Sequence, residues 1–330
     1  MALIVLIVAL GLTSVYQAVA SRQDAITFPP PGKLLDVGGY RLHINCTGQR
    51  VDGSPAVVFE GGLGASSIMW SMVQGRIAPY TRACSYDRAG YGWSDPAPQP
   101  RTARQIAVEL HALLVAAREP PPYILVGHSF GGIIIRMFAV QYPSEASALV
   151  LVDARHEDFF RQMPPAFLQV DEANFQKAKV LEVITPLGLT RLAGQVGLLD
   201  SFESYLSPLP EKAKAAAIAL MIYNTRHWQT AVAERELIEA SFDQVRASRL
   251  PPDLRVTVLT AANGVEAWQP PDSNIDAQTR NAWVSLQRQL AMLTARSAWV
   301  VVANSGHYIQ LDRPDAVADA ILRAGVVLTF

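Results

Sequence analysis

The sequence predicts a doubly wound α/β protein, a mainly parallel sheet with helices on both faces. Two patterns carry that expectation. Strand-type apolar runs alternate with helix-period segments from residue 55 onward, and the runs are continuously apolar, as strands covered on both faces must be. A third observation marks an interruption: residues 154 to 254 are rich in Ala, Leu, Pro and helix formers and carry no strand pattern. That span is far too long for a connecting loop, so a helical cap inserted into the sheet is expected there.

The elements follow in order. Residues 1–20, "MALIVLIVALGLTSVYQAVA", hold no charged side chain, and as a helix they are about long enough to cross a hydrocarbon core. Two readings stand side by side. One is a cleavable signal, with small residues at Ala18 and Ala20 but no basic residue ahead of the apolar run. The other is an uncleaved anchor, in which case the membrane is a partner. Either points to a membrane-anchored or secreted, extracytoplasmic protein. Residues 21–32 read as a proline-rich spacer, because the three consecutive prolines of "TFPPPGK" favour extended polyproline geometry.

The α/β core is expected over 33–153 and 255–330, with the cap at 154–254. "KLLDVGGYRLHINCTG" reads as a hairpin turning at Gly38 and Gly39, and "AVVFEGG" as a buried strand. "RACSYDRAGYGWS" is a strand running into a loop. "TARQIAVELHALLVAAR" has helical spacing with Thr102 as its N-cap. "YILVGHS" and the helix after it, "ALVLVDA", "RVTVLTAA", a helix around 276–295, "AWVVVANSGH" and a helix from Pro314 complete the series.

Composition narrows the function classes. Half of the 330 residues are apolar, enough for a sizeable core. The net charge is −1 and the 28 basic residues are scattered, so nucleic acid is not an expected partner. The two cysteines, Cys46 and Cys84, lie in no metal-type spacing. No metal or other cofactor is expected.

The junction "YILVGHSFGGIIIRMFAV" places a serine between a strand-type and a helix-type run. A serine hydroxyl attacks a carbonyl carbon only when it protrudes and a base removes its proton. A sharp strand-to-helix turn supplies the protrusion and tolerates only small neighbours, here Gly127 and Gly131 around Ser129, while Gly132 lets the helix approach the sheet. Because the turn opens a helix, the amide of Phe130 faces the space where an oxyanion would form.

Four separated motifs then give the chain its resemblance to the α/β-hydrolase superfamily, from Lys33 to the C-terminus: "FEGGLGAS", "YDRAGYGWSD", "GHSFGG" and "NSGHYIQLDRPDAV". The resemblance implies an eight-stranded, mainly parallel sheet with the cap inserted after strand 6. It implies a serine hydrolase, with Ser129 as nucleophile and an oxyanion hole made by the amides of Leu63 and Phe130. Asp87 and Arg88 are, by resemblance, a structural loop pair without a chemical role.

His307 is the expected base, since it alone among six histidines sits in a Ser-Gly-His turn between a strand and a proline-started helix. His128 reads as a pocket or supporting residue, and His156 and His227 as possible pocket linings. The acid has two candidates, as the superfamily allows. Asp153, at the end of strand 6, is preferred; Glu266, beyond strand 7 in "AANGVEAW", is the alternative, with Asp272 further along. The implied sheet order also sets the strands of Cys46 and Cys84 side by side, so a disulfide is one reading and two buried thiols the other.

The apolar cap suits a small ester or acyl substrate, with Met221, Tyr223 and Trp228 either lining the pocket or filling the cap. Carboxylesterase is the expected activity. Amide or carbon–carbon bond hydrolysis would use the same triad, and a membrane-tethered binding protein would keep only the fold. The joint presence of serine, histidine and both glycine loops favours the enzyme.

Overall fold

In the computed structural model, residues 1–199, 204–263 and 277–326 are described. Helix α1 spans Ala2–Thr27 and so runs into the segment expected to be an extended spacer. "SRQDAIT" contains no helix breaker, and the helix stops only where Pro29 and Pro30 remove backbone donors.

Strands β1 (Lys33–Asp36) and β2 (Arg41–Thr47) form the expected hairpin. Its turn holds Gly38 and Gly39 at φ +118° and +96°, a backbone that residues with a Cβ rarely adopt. The Asp36 carboxylate accepts from both glycine amides. Strands β3 (Ala56–Glu60), β4 (Ala83–Tyr86), β5 (Tyr123–His128), β6 (Ala146–Val152), β7 (Arg255–Ala261) and β8 (Ser297–Val302) complete an eight-stranded sheet. Its order is β1-β2-β4-β3-β5-β6-β7-β8. The β1–β2 and β2–β4 pairs are antiparallel, and the other five pairs are parallel.

Strands β3, β4 and β5 are buried at every residue because apolar layers cover both faces. On one side lie α3 (Ala103–Ala117) and α4 (Phe130–Gln141), with Leu110, Leu113, Ile133 and Met137 in the core. On the other lie α2 (Ser71–Ile77) and the C-terminal helix Pro314–Arg323, with Val73, Ile77, Val317 and Ile321. The Thr102 hydroxyl caps α3 by accepting from the Gln105 amide. Strand β8 departs from expectation: it is the sheet edge, and Val300 and Val301 are 46% and 52% exposed. Continuous apolarity therefore did not mark coverage on both faces here.

Between β6 and β7 the described residues hold helices and no strand. They are α5 (Phe159–Gln162), α6 (Pro165–Ile184), α7 (Leu189–Gln195), a 3-10 turn at Ser204–Leu206, α8 (Glu211–Ala217), a π-helical turn at Ile218–Ile222, α9 (Thr225–Glu236) and α10 (Ile238–Arg246). Met221 is buried in an apolar cluster that joins this insertion to Ala65, Ile68 and Met69 after β3. The ring of Tyr223 stacks under the Arg191 guanidinium, and Trp228 donates its indole N–H to the Ile222 carbonyl.

Helix α11 (Ala277–Leu290) ends five residues before the expected 295. Thr294 there bonds instead to the Leu254 carbonyl and to Ser297, a side-chain alternative to helix continuation. Helices α12 (Ile309–Asp312) and α13 (Pro314–Arg323) close the chain. Cys46 and Cys84 are directly opposed in the antiparallel β2–β4 ladder, and their sulfurs are joined in a disulfide.

Candidate active site

The sheet order reverses between β3 and β5: β3 leads through α2 to β4 on one side, and β5 leads through α4 to β6 on the other. The crevice beyond the carboxyl ends of two such strands is where doubly wound sheets place ligands. Register sets what meets there. Glu60 pairs with Gly127, His128 with Val152, and Val152 with Leu259, so Ser129 and Asp153 are the residues that leave adjacent strand ends.

Ser129 stands at φ +52°, ψ −120°, immediately before α4. That backbone is strained for a residue with a Cβ, and such strain clusters at functional sites. The neighbouring glycines are steric necessities: a Cβ on Gly131 would come within 2.6 Å of the Glu60 and Gly61 carbonyl oxygens. The side chain is 2% exposed and its Oγ has no hydrogen-bond partner among the described residues.

His307, five residues after β8, is 1% exposed and is joined through Nδ1 to Asp153 Oδ2 at 2.7 Å. Asp153 is fully buried at φ +41°. Its Oδ1 accepts from the Ala261 amide and from the Trp283 indole N–H, each at 3.1 Å. Three N–H contacts on one carboxylate place the imidazole proton on Nδ1 and turn Nε2 into the basic nitrogen. Burial pulls His307 down to about 3, with the Arg155 charge acting the same way, so the ring is neutral at neutral pH. Burial pushes the Asp153 carboxyl above its ordinary value, against the pull of the Ala261 and Trp283 donors.

Glu266 and Asp272 lie outside the described residues. Among the described candidates, Asp153 is the carboxylate in contact with His307.

His128 has a more specific place than its sequence context indicates. It donates Nε2–H to the His307 carbonyl at 3.0 Å, and its ring lies 4.6 Å from that of His307. It thus packs against His307 and holds its backbone. His43 is structural, bound to Asp87, and His111 stacks on Tyr142. His156 Nδ1 accepts from the Asp158 amide. His227, from α9, faces the loop after β3, where its Nε2 would meet a Cβ on Gly64 at 3.5 Å.

The loop Gly61–Gly64 crosses directly over Ser129: a Cβ on Gly62 would lie 3.2 Å from Ser129 Cβ and 2.9 Å from His128 Nδ1. This brings the expected oxyanion segment around Leu63 and the N-terminal amide of α4 at Phe130 to the same serine. What fixes the loop was not foreseen. Asp87 and Arg88 do not pair with each other. Asp87 accepts from His43, from the Ser67 amide and from the Trp93 amide. Arg88 faces the other way and uses all five guanidinium N–H groups: on Glu60, on the Gly61 and Gly62 carbonyls at 2.7 Å each, and twice on Glu234 of α9.

Arg88, Glu60 and Glu234 are essentially inaccessible to solvent. Burial raises Glu60 to about 6. The one hint in the sequence is Glu60 itself, a charge closing an otherwise apolar strand. A cavity of about 630 Å³ lies elsewhere, between α4, α10 and the turn after α11, and touches none of Ser129, Asp153 or His307.

Comparison with known proteins agrees with the fold. The model described as the alpha/beta hydrolase family matches residues 57–320. An AB hydrolase superfamily protein of Gibberella zeae is 26% identical over 288 residues, covering 82% of this chain and 85% of that protein. An uncharacterized protein of Schizosaccharomyces pombe is 27% identical over 254 residues; the match covers 75% of this chain but only 41% of that protein. The chain therefore spans less than half of that longer relative. In fold, it is similar to a thermophilic esterase from Thermogutta terrifontis, with a TM-score of 0.56 at 19% identity, covering 86% of this chain and 92% of the esterase.

Proposed function

Because the chain belongs to the alpha/beta hydrolase family, we propose that it is a serine hydrolase that cleaves small carboxylic esters through Ser129, His307 and Asp153. The observation that carries this reading is the 2.7 Å contact of His307 Nδ1 with Asp153, at the strand end next to the strained Ser129 turn. Ser129 Oγ attacks the ester carbonyl carbon and its proton passes to His307 Nε2. The tetrahedral oxyanion is held by the amides of Leu63 and Phe130. Collapse breaks the bond to the alkoxy oxygen, which leaves as the alcohol with the proton from His307. Water, deprotonated by His307, attacks the acyl-enzyme; the acid is released and Ser129 recovers its proton.

The insertion acts as the cap. Its apolar cluster with Ala65, Ile68 and Met69, adjoined by Tyr205 and Tyr308, supports an uncharged acyl or alcohol group as the substrate's larger part. The test is hydrolysis of p-nitrophenyl esters of increasing acyl length by the protein and by Ser129→Ala. Turnover that disappears in the variant supports the reading. Equal turnover in both folded proteins overturns it.

A further inference from the structure

The N-terminal helix behaves differently along its length. From Ala2 to Leu12 it has no polar side chain, and Leu3, Ile4, Val5, Ile7, Val8 and Leu12 are all more than half exposed. Beyond that point it is fastened to the insertion by matched polar contacts. Gln17 is 2% exposed, donates to the Tyr223 carbonyl at 2.7 Å and accepts from Arg191 Nε at 3.2 Å. Arg191 also pairs with Asp24, and Gln195 donates to the Tyr16 hydroxyl. Gly188, ahead of α7, meets the Thr13 carbonyl so closely that a Cβ there would lie 2.4 Å from it. At the end of α1 the Phe28 carbonyl accepts from the Trp93 indole.

We infer that α1 is retained as a structural part of the folded protein and that its first half, with the surface of α7 around it, docks into a lipid bilayer. Three observations converge on lipid as the occupant. The free half is apolar on every side, which suits hydrocarbon and not a groove with one apolar wall. The helix gains its first hydroxyls, a tyrosine and then charges where it reaches the protein body, the order expected at a membrane interface. The insertion continues the apolar surface at that junction, with Leu192, Val196 and Leu198 exposed at 37%, 71% and 73% beside the Gln195–Tyr16 contact. Cleavage after Ala20 would sever a helix held on both sides of the cut, at Gln17 and at Asp24. The bilayer then lies against the insertion, not against the sheet.

The test uses the full chain. Flotation with neutral phosphatidylcholine vesicles compares the protein with Leu3→Asn/Ile4→Asn/Ile7→Asn/Val8→Asn and with Leu192→Asn/Val196→Asn/Leu198→Asn, the thermal midpoint serving as the control for folding. The protein is expected to float and the α1 variant to stay with the soluble fraction. The α7 variant should partition at least about tenfold less well, since each buried aliphatic group contributes to membrane affinity. Because Cys46 and Cys84 are joined to each other, Leu198→Cys adds one reactive thiol, and an NBD label on it should shift to the blue with vesicles. Intact mass of the membrane fraction should include residues 1–20. A mature N-terminus at Ser21 would overturn the inference, as would flotation unchanged in both variants. So would vesicle-free self-association abolished by the α1 substitutions, which would make this surface a contact between copies.

Discussion

Arg88, which takes no step in the proposed chemistry, holds the loop that crosses Ser129. Its bond to the Gly62 carbonyl fixes the orientation of the next peptide, because N–H and C=O point oppositely across a trans bond. The Leu63 amide is thereby turned away from the guanidinium. Glu234→Gln keeps the shape of the Arg88 partner and removes a charge. In the proposed enzyme it should lower kcat by up to about 10²-fold with KM little changed, as weakened oxyanion stabilisation does. A purely structural role would leave the kcat to KM balance where it was. Arg88→Ala would strand two buried carboxylates and should cost about 3–5 kcal/mol of stability in urea unfolding.

Asp153→Asn is the companion prediction. The Asn oxygen still accepts from Ala261 and Trp283, so the fold should hold, while its NH₂ group faces His307 and forces the opposite tautomer. Turnover should fall by about 10⁴-fold, and Glu266→Gln should stay near the wild-type rate. The reverse pair of results would move the acid role to Glu266. The strand-to-helix turn at Ser129 and the loop that holds His307 were legible because each is a contiguous motif. Asp153 was legible only as one of two strand-end carboxylates, and its contact with His307 was not legible, because the two lie 154 residues apart in sequence. Arg88 was legible as structural, but its partner was not, because Glu234 lies 146 residues away in sequence.

Among the elements, the β2–β4 ladder and the start of the insertion each carry a measurable contribution. The Cys46–Cys84 disulfide closes a separation of 38 residues, so Cys46→Ala/Cys84→Ala should lose about 4 kcal/mol in urea unfolding on loop entropy. The Arg136–Glu157 pair ties α4 to the first residues of the insertion through two bonds of 2.6 and 2.8 Å. Arg136 holds Glu157 down at about 2 from an ordinary 4.5, although burial alone would raise it. Because the folded value is the lower one, this stabilisation is present above pH 4.5 and lost as pH falls towards 2, on the order of 3 kcal/mol. Glu157→Gln should flatten that part of the stability profile; an unchanged slope would place the acid sensitivity elsewhere. Strand and helix alternation was readable from periodicity alone. The edge position of β8 and the full length of α1 were not, because an apolar run does not say which of its faces a neighbour covers.

At the scale of the whole molecule, the insertion is joined to three parts at once. It meets Arg88, and through it the loop after β3, at Glu234; it meets the apolar residues after β3 through Met221; and it meets α1 through Gln17 and Arg191. Sequence spacing located the insertion but not these attachments, each of which spans more than a hundred residues of chain. The account rests on Ser129 being a nucleophile activated by its neighbours. The most direct test is reaction of the full-length protein with a fluorophosphonate, read by intact mass and by peptide mapping, beside His307→Ala and Ser129→Ala. The account predicts one adduct per chain, located on Ser129, slowed by orders of magnitude in His307→Ala and absent in Ser129→Ala. A folded protein that takes up no label, or takes it equally in all three forms, would contradict it.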